Sequence, residues 1–295
     1  MINLFFLKTF VDTVKTGSVK TSAHKNFVTQ PAVSQHIRLI EKHLDCRLFE
    51  RHNRKITLTP AGQAFLPYAE NLLRQYEESL MRLREINGKF SGTISLATIY
   101  SIGLYHLQPI VHGFLKKYPK INIRLEYHTF DVIYEKIANQ TIDFGFVAYP
   151  KSRPGIHAEV FAEERMVLAQ SPGHRVFKKR RILLSELHKA RFVGFSEHTP
   201  TRKTVNAFLN QHGILPAFVN EYDNIETLKS AMTLGIGCSI VPLETLKREL
   251  IDGSLEIVHV DGLDLNRPLG LLYARGKTFT ESAKEFHAMV LKKSS

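Results

Sequence analysis

The feature that most constrains the fold is a pair of helical segments near the N-terminus, each preceded by a capping residue. Ser18 stands before a helical pattern over residues 19–25, and Thr29 before a second one over residues 30–44. Both are good N-caps because their hydroxyl oxygen can accept a free backbone N–H of the first helical turn. Pro31 fits the first turn of the second segment, where its missing N–H breaks no hydrogen bond. Two helices joined by so short a turn predict a helix-turn-helix, whose second helix enters the major groove of DNA.

The outer face of the second segment carries side chains suited to reading base edges. Gln30 and Gln35 can pair with adenine, whereas Arg38 can pair with guanine. A serine can contact base edges or phosphates. The candidate DNA-binding residues of this segment are Thr29, Gln30, Pro31, Ser34, Gln35 and Arg38. The alternative is an ordinary solvated helix face.

Positive charge is concentrated in the same region. Residues 1–60 contain ten Lys and Arg against four Asp and Glu, and the whole chain has a net charge of +12. Half of the net charge therefore lies in the first 60 of 295 residues. A positive field favours association with polyanions such as DNA. Charge alone would also fit a basic enzyme or a membrane-surface binder, but its uneven distribution favours nucleic acid.

Three motifs connect this region to a known family. They are FxxxVxxGSxxxxA from Phe10, TQPAVSQHIRLIEKHL from Thr29 and LFERHNRKITLTPAG from Leu48. Together they resemble the N-terminal signature of the LysR family of bacterial transcription regulators. Asp45, where the family usually has Gly, and Ser22, where it commonly has Ala, depart from that pattern. Neither change threatens the fold, since Asp adopts the left-handed conformation at modest cost.

The resemblance implies an all-α winged helix-turn-helix over residues 1–58. The alternation after residue 54 indicates a small β-wing. By the same resemblance, Arg51, Arg54 and Lys55 should contact DNA phosphates beside or within the minor groove. The alternative is that these cations are surface charges only.

A long helix is expected over residues 59–90, because Thr59 is an N-cap and Pro60 a first-turn proline. Pro67 should bend this helix or delay its regular part. The apolar residues recur at nearly seven-residue steps: Phe65, Ala69, Leu72, Tyr76 and Leu83, with Leu66, Leu73 and Leu80 on an adjoining stripe. So wide a stripe indicates packing on a partner helix or on the same chain. The resemblance favours a partner, which gives a homodimer or a homotetramer.

From residue 91 to residue 295, predicted strands alternate with predicted helices. This alternation indicates a parallel sheet covered by helices on both faces, so the fold class is α/β overall. The resemblance implies two α/β lobes like those of periplasmic binding proteins, with an effector between them. The predicted lobes are residues 91–163 with 267–295, and residues 164–266, with crossings near Phe161–Arg165 and Leu265–Pro268.

Ligands of such sheets bind beyond the carboxyl ends of the strands, where helix N-termini present free N–H groups. By resemblance, Ser101 matches the hydroxyl residue with which the family commonly holds its effector. The candidate effector-binding residues are Thr98, Tyr100, Ser101, Thr129, Thr199, Thr201, Arg202 and Asn224. Hydroxyls, backbone N–H groups and one Arg suit a small carboxylate or another small anion. The alternative is that the residues at helix starts are merely caps.

The remaining signals restrict the function further. Cys46 and Cys238 are too few and too far apart for a disulfide framework, which fits a reducing cytoplasm. The N-terminal stretch has neither a signal-peptide core nor a membrane span, and no catalytic or metal-binding constellation is evident. We therefore expect a cytoplasmic regulator that is not an enzyme and has no cofactor. It should bind double-stranded DNA and a small-molecule effector, with RNA polymerase open as a further partner.

Two other classes stay open at this point. An enzyme or a free solute-binding protein could be built on the same lobes, and turnover without any DNA binding would indicate that class. A constitutive DNA binder could carry an empty C-terminal domain, and a specifically filled cleft would exclude that class.

Overall fold

The computed structural model describes residues 2–52, 55–86 and 92–292. The chain divides into two compact units, one of Met1–Ser91 with Asn139–Thr141 and the other of Gly92–Ala138 with Ile142–Ser295. The first unit is helical with a small hairpin, and the second unit is α/β. The predicted fold class is therefore confirmed.

The helices of the first unit begin where the capping residues predict. Its elements are α1 (Leu4–Thr16), α2 (Val19–Lys25), α3 (Gln30–Leu44), β1 (Phe49–His52), β2 (Lys55–Leu58) and α4 (Pro60–Ile86). The Ser18 and Thr29 hydroxyls accept backbone N–H groups at 3.2 and 3.3 Å, at the starts of α2 and α3. Asp45 ends α3 with φ +51°, the left-handed conformation expected of it. Thr59 caps α4 through the N–H of Gly62 at 3.0 Å, and α4 runs through Pro67 without interruption.

A shared apolar core fixes α3 with one face inward. The core joins α1, α3, α4 and the segment before β1 through Leu7, Phe10, Val11, Ile40, Leu48 and Ala69. A smaller cluster of Ala23, Val33 and Ile37 packs α2 on α3. Burial of these side chains leaves the opposite face of α3 toward solvent.

The second unit contains strands and helices, which alternate over residues 92–148 and over residues 191–261. Its elements are β3 (Gly92–Thr98), α5 (Tyr100–Ile102), a π-helical turn (Gly103–Leu107), α6 (Gln108–Lys117), β4 (Ile121–Tyr127), α7 (Phe130–Ala138), β5 (Phe144–Ala148), β6 (Ile156–Gln170), β7 (Arg181–Leu183), β8 (Arg191–Phe195), α8 (Pro200–Gln211), β9 (Ala217–Tyr222), α9 (Ile225–Thr233), β10 (Ser239–Pro242), α10 (Lys247–Asp252), β11 (Glu256–Asp261), β12 (Asn266–Ala274) and α11 (Glu281–Lys292). Strands β3, β4 and β5 are parallel, as the alternation predicts, and β12 runs antiparallel to β5. Parallel pairing recurs between β8 and β9.

The long strand β6 belongs to both lobes of this unit. Its residues from Ile156 to Arg165 pair with β12, and its residues from Met166 onward pair with β10 and β11. We call β3, β4, β5, β12 and the first part of β6 the first lobe, and β7 to β11 with the rest of β6 the second lobe. Separate apolar clusters fill the two lobes, so each lobe has its own core.

Candidate DNA-binding surface and ligand cleft

The outer side of α3, with the residue that caps it, forms an exposed polar surface that we call the α3 face. Thr29, Gln30, Pro31, Gln35 and Arg38 are exposed, and Ser34 is partly exposed. The other side of the helix is buried through Val33, Ile37 and Ile40. The α3 face therefore presents amides, hydroxyls and a guanidinium on a helix that is anchored from behind.

Contacts with α1 and β1 fix the position of α3. The ring of His36 stacks on Phe6 with a centroid distance of 4.4 Å. The Glu41 carboxylate accepts the backbone N–H groups of Leu48 at 2.8 Å and Phe49 at 3.3 Å. Because Phe49 begins β1, Glu41 joins the β-hairpin to α3.

A buried carboxylate organises the turn that leads into α3. Asp12 of α1 is only 6% exposed. It accepts hydrogen bonds from Lys25 at 2.5 Å, Asn26 at 2.9 Å and Lys8 at 3.3 Å. Burial by itself would raise the pKa of Asp12, but these three donors outweigh burial and hold the pKa below its ordinary value.

The hairpin adds a groove next to the α3 face. This groove, of about 610 Å³, lies between α3 and β1 and is lined in part by Ser34, Arg38 and Arg47. Arg51 and Lys55 lie in β1 and β2, but their side chains, like the whole of Arg54, lie outside the described residues. Their predicted phosphate contacts stay a prediction.

Helix α4 divides its apolar residues between the core and the surface. Phe65, Leu66 and Leu73 pack against the core of the first unit. Tyr68, Leu72, Tyr76 and Leu83 are instead 48–69% exposed. An exposed row of large apolar side chains along one helix is typical of a contact between protein chains.

A cavity of about 340 Å³ lies between the two lobes of the second unit. The first lobe contributes the starts of α5 and α7, and the second lobe contributes the starts of α8 and α9. Six of the eight candidate effector-binding residues line this cavity: Tyr100, Ser101, Thr129, Thr199, Thr201 and Asn224. Helix starts therefore surround the cavity, as the position of the strands' carboxyl ends predicts.

Two of these residues also act as helix caps, as the alternative interpretation expects. The Thr199 hydroxyl accepts the backbone N–H of Arg202 at 3.3 Å, and the Asn224 side chain accepts that of Glu226 at 3.0 Å. Ser101 makes no such contact, because its hydroxyl accepts a hydrogen bond from Arg267 at 2.6 Å. Capping thus accounts for the hydroxyl of Thr199 and the amide of Asn224 at their helix starts, but it does not account for the hydroxyl of Ser101.

The expectation that Arg202 supplies the cation of the cleft needs correction. Arg202 is 3% exposed and does not line the cavity. Its guanidinium donates to the carbonyl of Phe195 at 2.8 Å and to Glu221 at 3.1 Å, and it stacks on the Phe218 ring at 3.4 Å. These contacts hold Arg202 inside the second lobe.

Thr98 also lies away from the cavity, contrary to the expectation. It is fully buried, and its hydroxyl donates to the carbonyl oxygen of Ile99 at 3.0 Å. The neighbouring residues Ile99 to Ser101 line the cavity in its place.

The cation that does line the cavity is Arg267 of β12, which the sequence predictions missed. Arg267 is 1% exposed, and its Nε atom lies 3.2 Å from Glu164 Oε2 of β6. The other oxygen of Glu164 lies 2.6 Å from Nε2 of His106. Burial lowers the pKa of the Arg267 guanidinium, and the Glu164 charge acts against that shift. The ion pair with Glu164 therefore holds the Arg267 guanidinium against the Ser101 hydroxyl, at the start of α5.

Family models match the chain over most of its length. The model of bacterial regulatory helix-turn-helix proteins of the lysR family matches residues 4–63, and the model of the LysR substrate binding domain matches residues 87–295. The chain belongs to the LysR family of transcriptional regulators. It is a DNA-binding regulator of transcription, as the N-terminal motifs predict.

This LysR-type regulator is similar to known proteins both in sequence and in structure. The HTH-type transcriptional activator CmpR of Synechocystis sp. is 30% identical over 94% of this chain and 91% of its own. Full-length CbnR in complex with its target DNA has a TM-score of 0.76 and 22% identity, over 99% of this chain and 100% of its own. The CcmR regulatory domain of Synechocystis in complex with 2-PG has a TM-score of 0.63 and 21% identity, over 70% of this chain and 98% of its own. At these identities the two structures support the fold.

The two lobes of this LysR-type regulator are joined beside the cavity by a polar cluster around one buried lysine, which we call the lobe bridge. Tyr105, in the π-helical turn, donates to Glu226 of α9 at 2.6 Å. Lys229, 3% exposed, donates to Tyr105 and lies 2.8 Å from Glu249. Burial and the Glu226 carboxylate raise the pKa of Tyr105 to about 12, so its hydroxyl stays protonated and can donate. Since Glu226 follows Asn224 closely, the lobe bridge adjoins the lining of the cavity.

The described part of the chain offers no reactive thiol at Cys238, no cluster of metal ligands and no helix that could cross a membrane. Cys238 is buried, and burial raises the pKa of its thiol well above the ordinary range. Among the described residues, no His, Cys, Asp and Glu side chains are grouped so as to hold a metal ion. Over the same residues, no helix combines the length and the apolar character needed to cross a membrane.

Proposed function

We propose that this regulator reads specific DNA sequences with the α3 face and changes its affinity for them when a small anion binds between the lobes. The observation that carries the effector part of the proposal is the contact of Arg267 with Ser101 in a cavity ringed by helix starts. A helix-turn-helix inserts the start of its second helix into the major groove, which supports the DNA part.

Base reading is assigned to the polar side chains of the α3 face. Arg38 would read guanine, and Gln30 and Gln35 would read adenine. Thr29, Pro31 and Ser34 would set the helix start and contact the backbone. Arg51, Arg54 and Lys55 would bind phosphates, which fix position rather than sequence.

An anionic effector is supported by the donors around the cavity. The guanidinium of Arg267 is positively charged, and the helix starts carry partial positive charge from their free N–H groups. The Ser101 hydroxyl accepts from Arg267, so its own proton is available to a ligand oxygen. The complex of the CcmR regulatory domain with 2-PG supports a small molecule as the occupant of this fold.

The proposed domain organisation follows the pairing of β6. We assign residues 1–58 to the DNA-binding domain, 59–90 to the linker helix and 91–295 to the effector domain. The lobes, residues 91–163 with 267–295 and residues 164–266, would then meet within two residues of the point between Arg165 and Met166 at which β6 changes partners. An effector that contacts both lobes would favour one arrangement over the other and shift their populations.

The proposal includes the oligomeric state and the setting. Two copies would pair through the exposed apolar row of α4, as a homodimer or within a homotetramer. The protein would act in the cytoplasm, where its DNA and RNA polymerase are found. It would perform no catalysis and need no cofactor besides the effector.

Calorimetry with small anions tests the effector assignment. The titrants are small carboxylates and phosphates, each beside a neutral amide or alcohol of similar shape. We expect anions to bind and Ser101→Ala to weaken binding by about 10-fold or more, since a hydrogen bond to a charged group contributes roughly 1.5–3 kcal/mol. Ser230→Ala, which removes a helical hydroxyl bonded to the carbonyl of Glu226, should bind as the parent does. Binding of neutral compounds alone would overturn the assignment.

A further inference from the structure

Phe27 is the most exposed large apolar side chain among the described residues, at 95% exposure. It lies in the turn between α2 and α3, between Asn26, which is buried, and Val28, which is partly buried. The ring therefore points away from the core of the first unit. A single exposed apolar residue is common on protein surfaces, so exposure by itself assigns no role.

The backbone of Phe27 supplies the second observation. Its φ is +56°, in the left-handed region where Gly and Asn are accommodated and a bulky residue is disfavoured. Solvent favours a polar side chain at this position, and the backbone favours Gly or Asn. Neither folding nor solubility explains a phenylalanine here, and such unfavourable positions cluster at functional sites.

The turn that carries Phe27 is held by hydrogen bonds on both sides. The Asn26 side chain donates to Asp12 at 2.9 Å and to the carbonyl of Ser22 at 2.9 Å. The backbone N–H of Phe27 donates to the carbonyl of His24 at 3.2 Å, and that of Val28 to Ala23 at 3.0 Å. The ring is thus presented on a fixed backbone, which lowers the entropy lost when it binds.

Phe27 continues the α3 face beyond the start of its helix. Thr29, the cap of α3, follows two residues later. The exposed ammonium groups of Lys8 and Lys25 flank the same turn through their bonds to Asp12. A duplex that receives the start of α3 in its major groove would bring its backbone against this turn. The apolar atoms available there are those of deoxyribose and the C5-methyl group of thymine.

We propose that Phe27 contacts DNA, with its ring packed on deoxyribose or on a thymine methyl at the edge of the major groove. The inference rests on the proposed function of the α3 face. It adds an apolar, uncharged contact to the amides and cations of that face. Such a contact contributes affinity without releasing counterions.

The test uses the full-length protein and a duplex that the parent protein has selected from a randomised pool. Phe27→Asn removes the ring and keeps the left-handed backbone, and Phe27→Tyr keeps the ring. Leu234→Asn, at a residue 73% exposed in the second unit, is the matched control for loss of an exposed apolar side chain. Affinities are measured at several salt concentrations, together with the melting temperature of each variant.

We expect Phe27→Asn to lose at least about tenfold in affinity, with an unchanged slope of affinity against salt, since no cation is removed. Phe27→Tyr should stay within a few-fold of the parent, and Leu234→Asn should equal it. Replacing dT by dU in the duplex would lower affinity for the parent but not for Phe27→Asn if the contact is the methyl group. If the parent binds the dU duplex as tightly as the dT duplex, while Phe27→Asn still loses affinity, the ring lies on deoxyribose.

Two results would overturn the inference. One is parental affinity in Phe27→Asn, and the other is a lower melting temperature in this variant with a matching loss of affinity, which would assign the ring to folding. Failure of the parent protein to select any duplex would instead contradict the proposed function itself.

Discussion

Replacing Arg267 by Met should destabilise the second unit strongly, because the buried Glu164 carboxylate then loses its Arg267 partner and is left with His106. Both side chains of the pair are at most 1% exposed, and their atoms lie 3.2 Å apart. At that distance, an effective dielectric constant of about 20 gives an attraction of about 5 kcal/mol. Breaking a buried pair by removing one partner costs about 3–5 kcal/mol, and we expect a loss in this range.

The assay is urea unfolding followed by far-UV circular dichroism, since the chain contains no tryptophan. Arg267→Met/Glu164→Gln should recover more than half of the loss, because Gln keeps an acceptor for His106 without a buried charge. Arg181→Met is the matched control. It removes an Arg that is 70% exposed and paired with Asp261, so solvent screens the pair and stability should stay close to that of the parent. A loss below about 1 kcal/mol in Arg267→Met, or a double variant as unstable as the single one, would refute the reasoning.

Two further predictions concern the oligomer and pH. Leu72→Glu places a charge in the exposed row of α4 and should lower the mass in sedimentation, from dimer to monomer or from tetramer to dimer, whereas Gln75→Glu should leave the mass unchanged. An unchanged mass in Leu72→Glu would exclude this row as the interface. Burial opposes ionisation of Glu126, but Lys136, His128 and Arg124 lower its pKa from 4.5 to about 2. Its stabilisation is therefore complete above pH 4.5 and lost as the pH falls toward 2. We expect the free energy of unfolding of Glu126→Gln to be about 1–2 kcal/mol lower than that of the parent at pH 7. A difference of the same size near pH 2, in the same urea unfolding assay, would contradict this prediction.

The ends of the helices in the first unit could be predicted because capping is local. The hydroxyls of Ser18, Thr29 and Thr59 bond to N–H groups within three residues, and Asp45 takes the left-handed conformation at its own position. Such interactions depend on neighbouring residues and are visible in the sequence.

The choice between Arg202 and Arg267 could not be made in the same way. Arg202 follows a helix cap and matches the family segment, yet Glu221 and Phe218 of β9 bind it inside the lobe. Arg267 reaches the cavity because β12 pairs with β6 and places it beside Glu164. Both outcomes depend on residues that are distant in sequence.

The continuous course of β6 could not be predicted from the sequence either, because it depends on a tertiary contact. A crossing between lobes is predicted near Phe161–Arg165, but a continuous strand of 15 residues is not. The adjacent charges at Glu163, Glu164 and Arg165 interrupt its apolar pattern. They are tolerated there because Glu163 and Arg165 are exposed and the buried Glu164 pairs with Arg267. An isolated arginine in the apolar pattern of 266–274 was the signal that could have revealed both residues.

The central claim is that the α3 face reads DNA sequence, and competition binding of Arg38→Ala tests it most directly. Parent and variant are each measured on the selected duplex against a scrambled duplex of the same composition. If Arg38 contacts a base, the preference for the selected duplex should fall by about 1–3 kcal/mol, roughly 5- to 150-fold, while binding to the scrambled duplex changes far less. Equal losses on both duplexes would contradict the claim and reduce Arg38 to a phosphate contact.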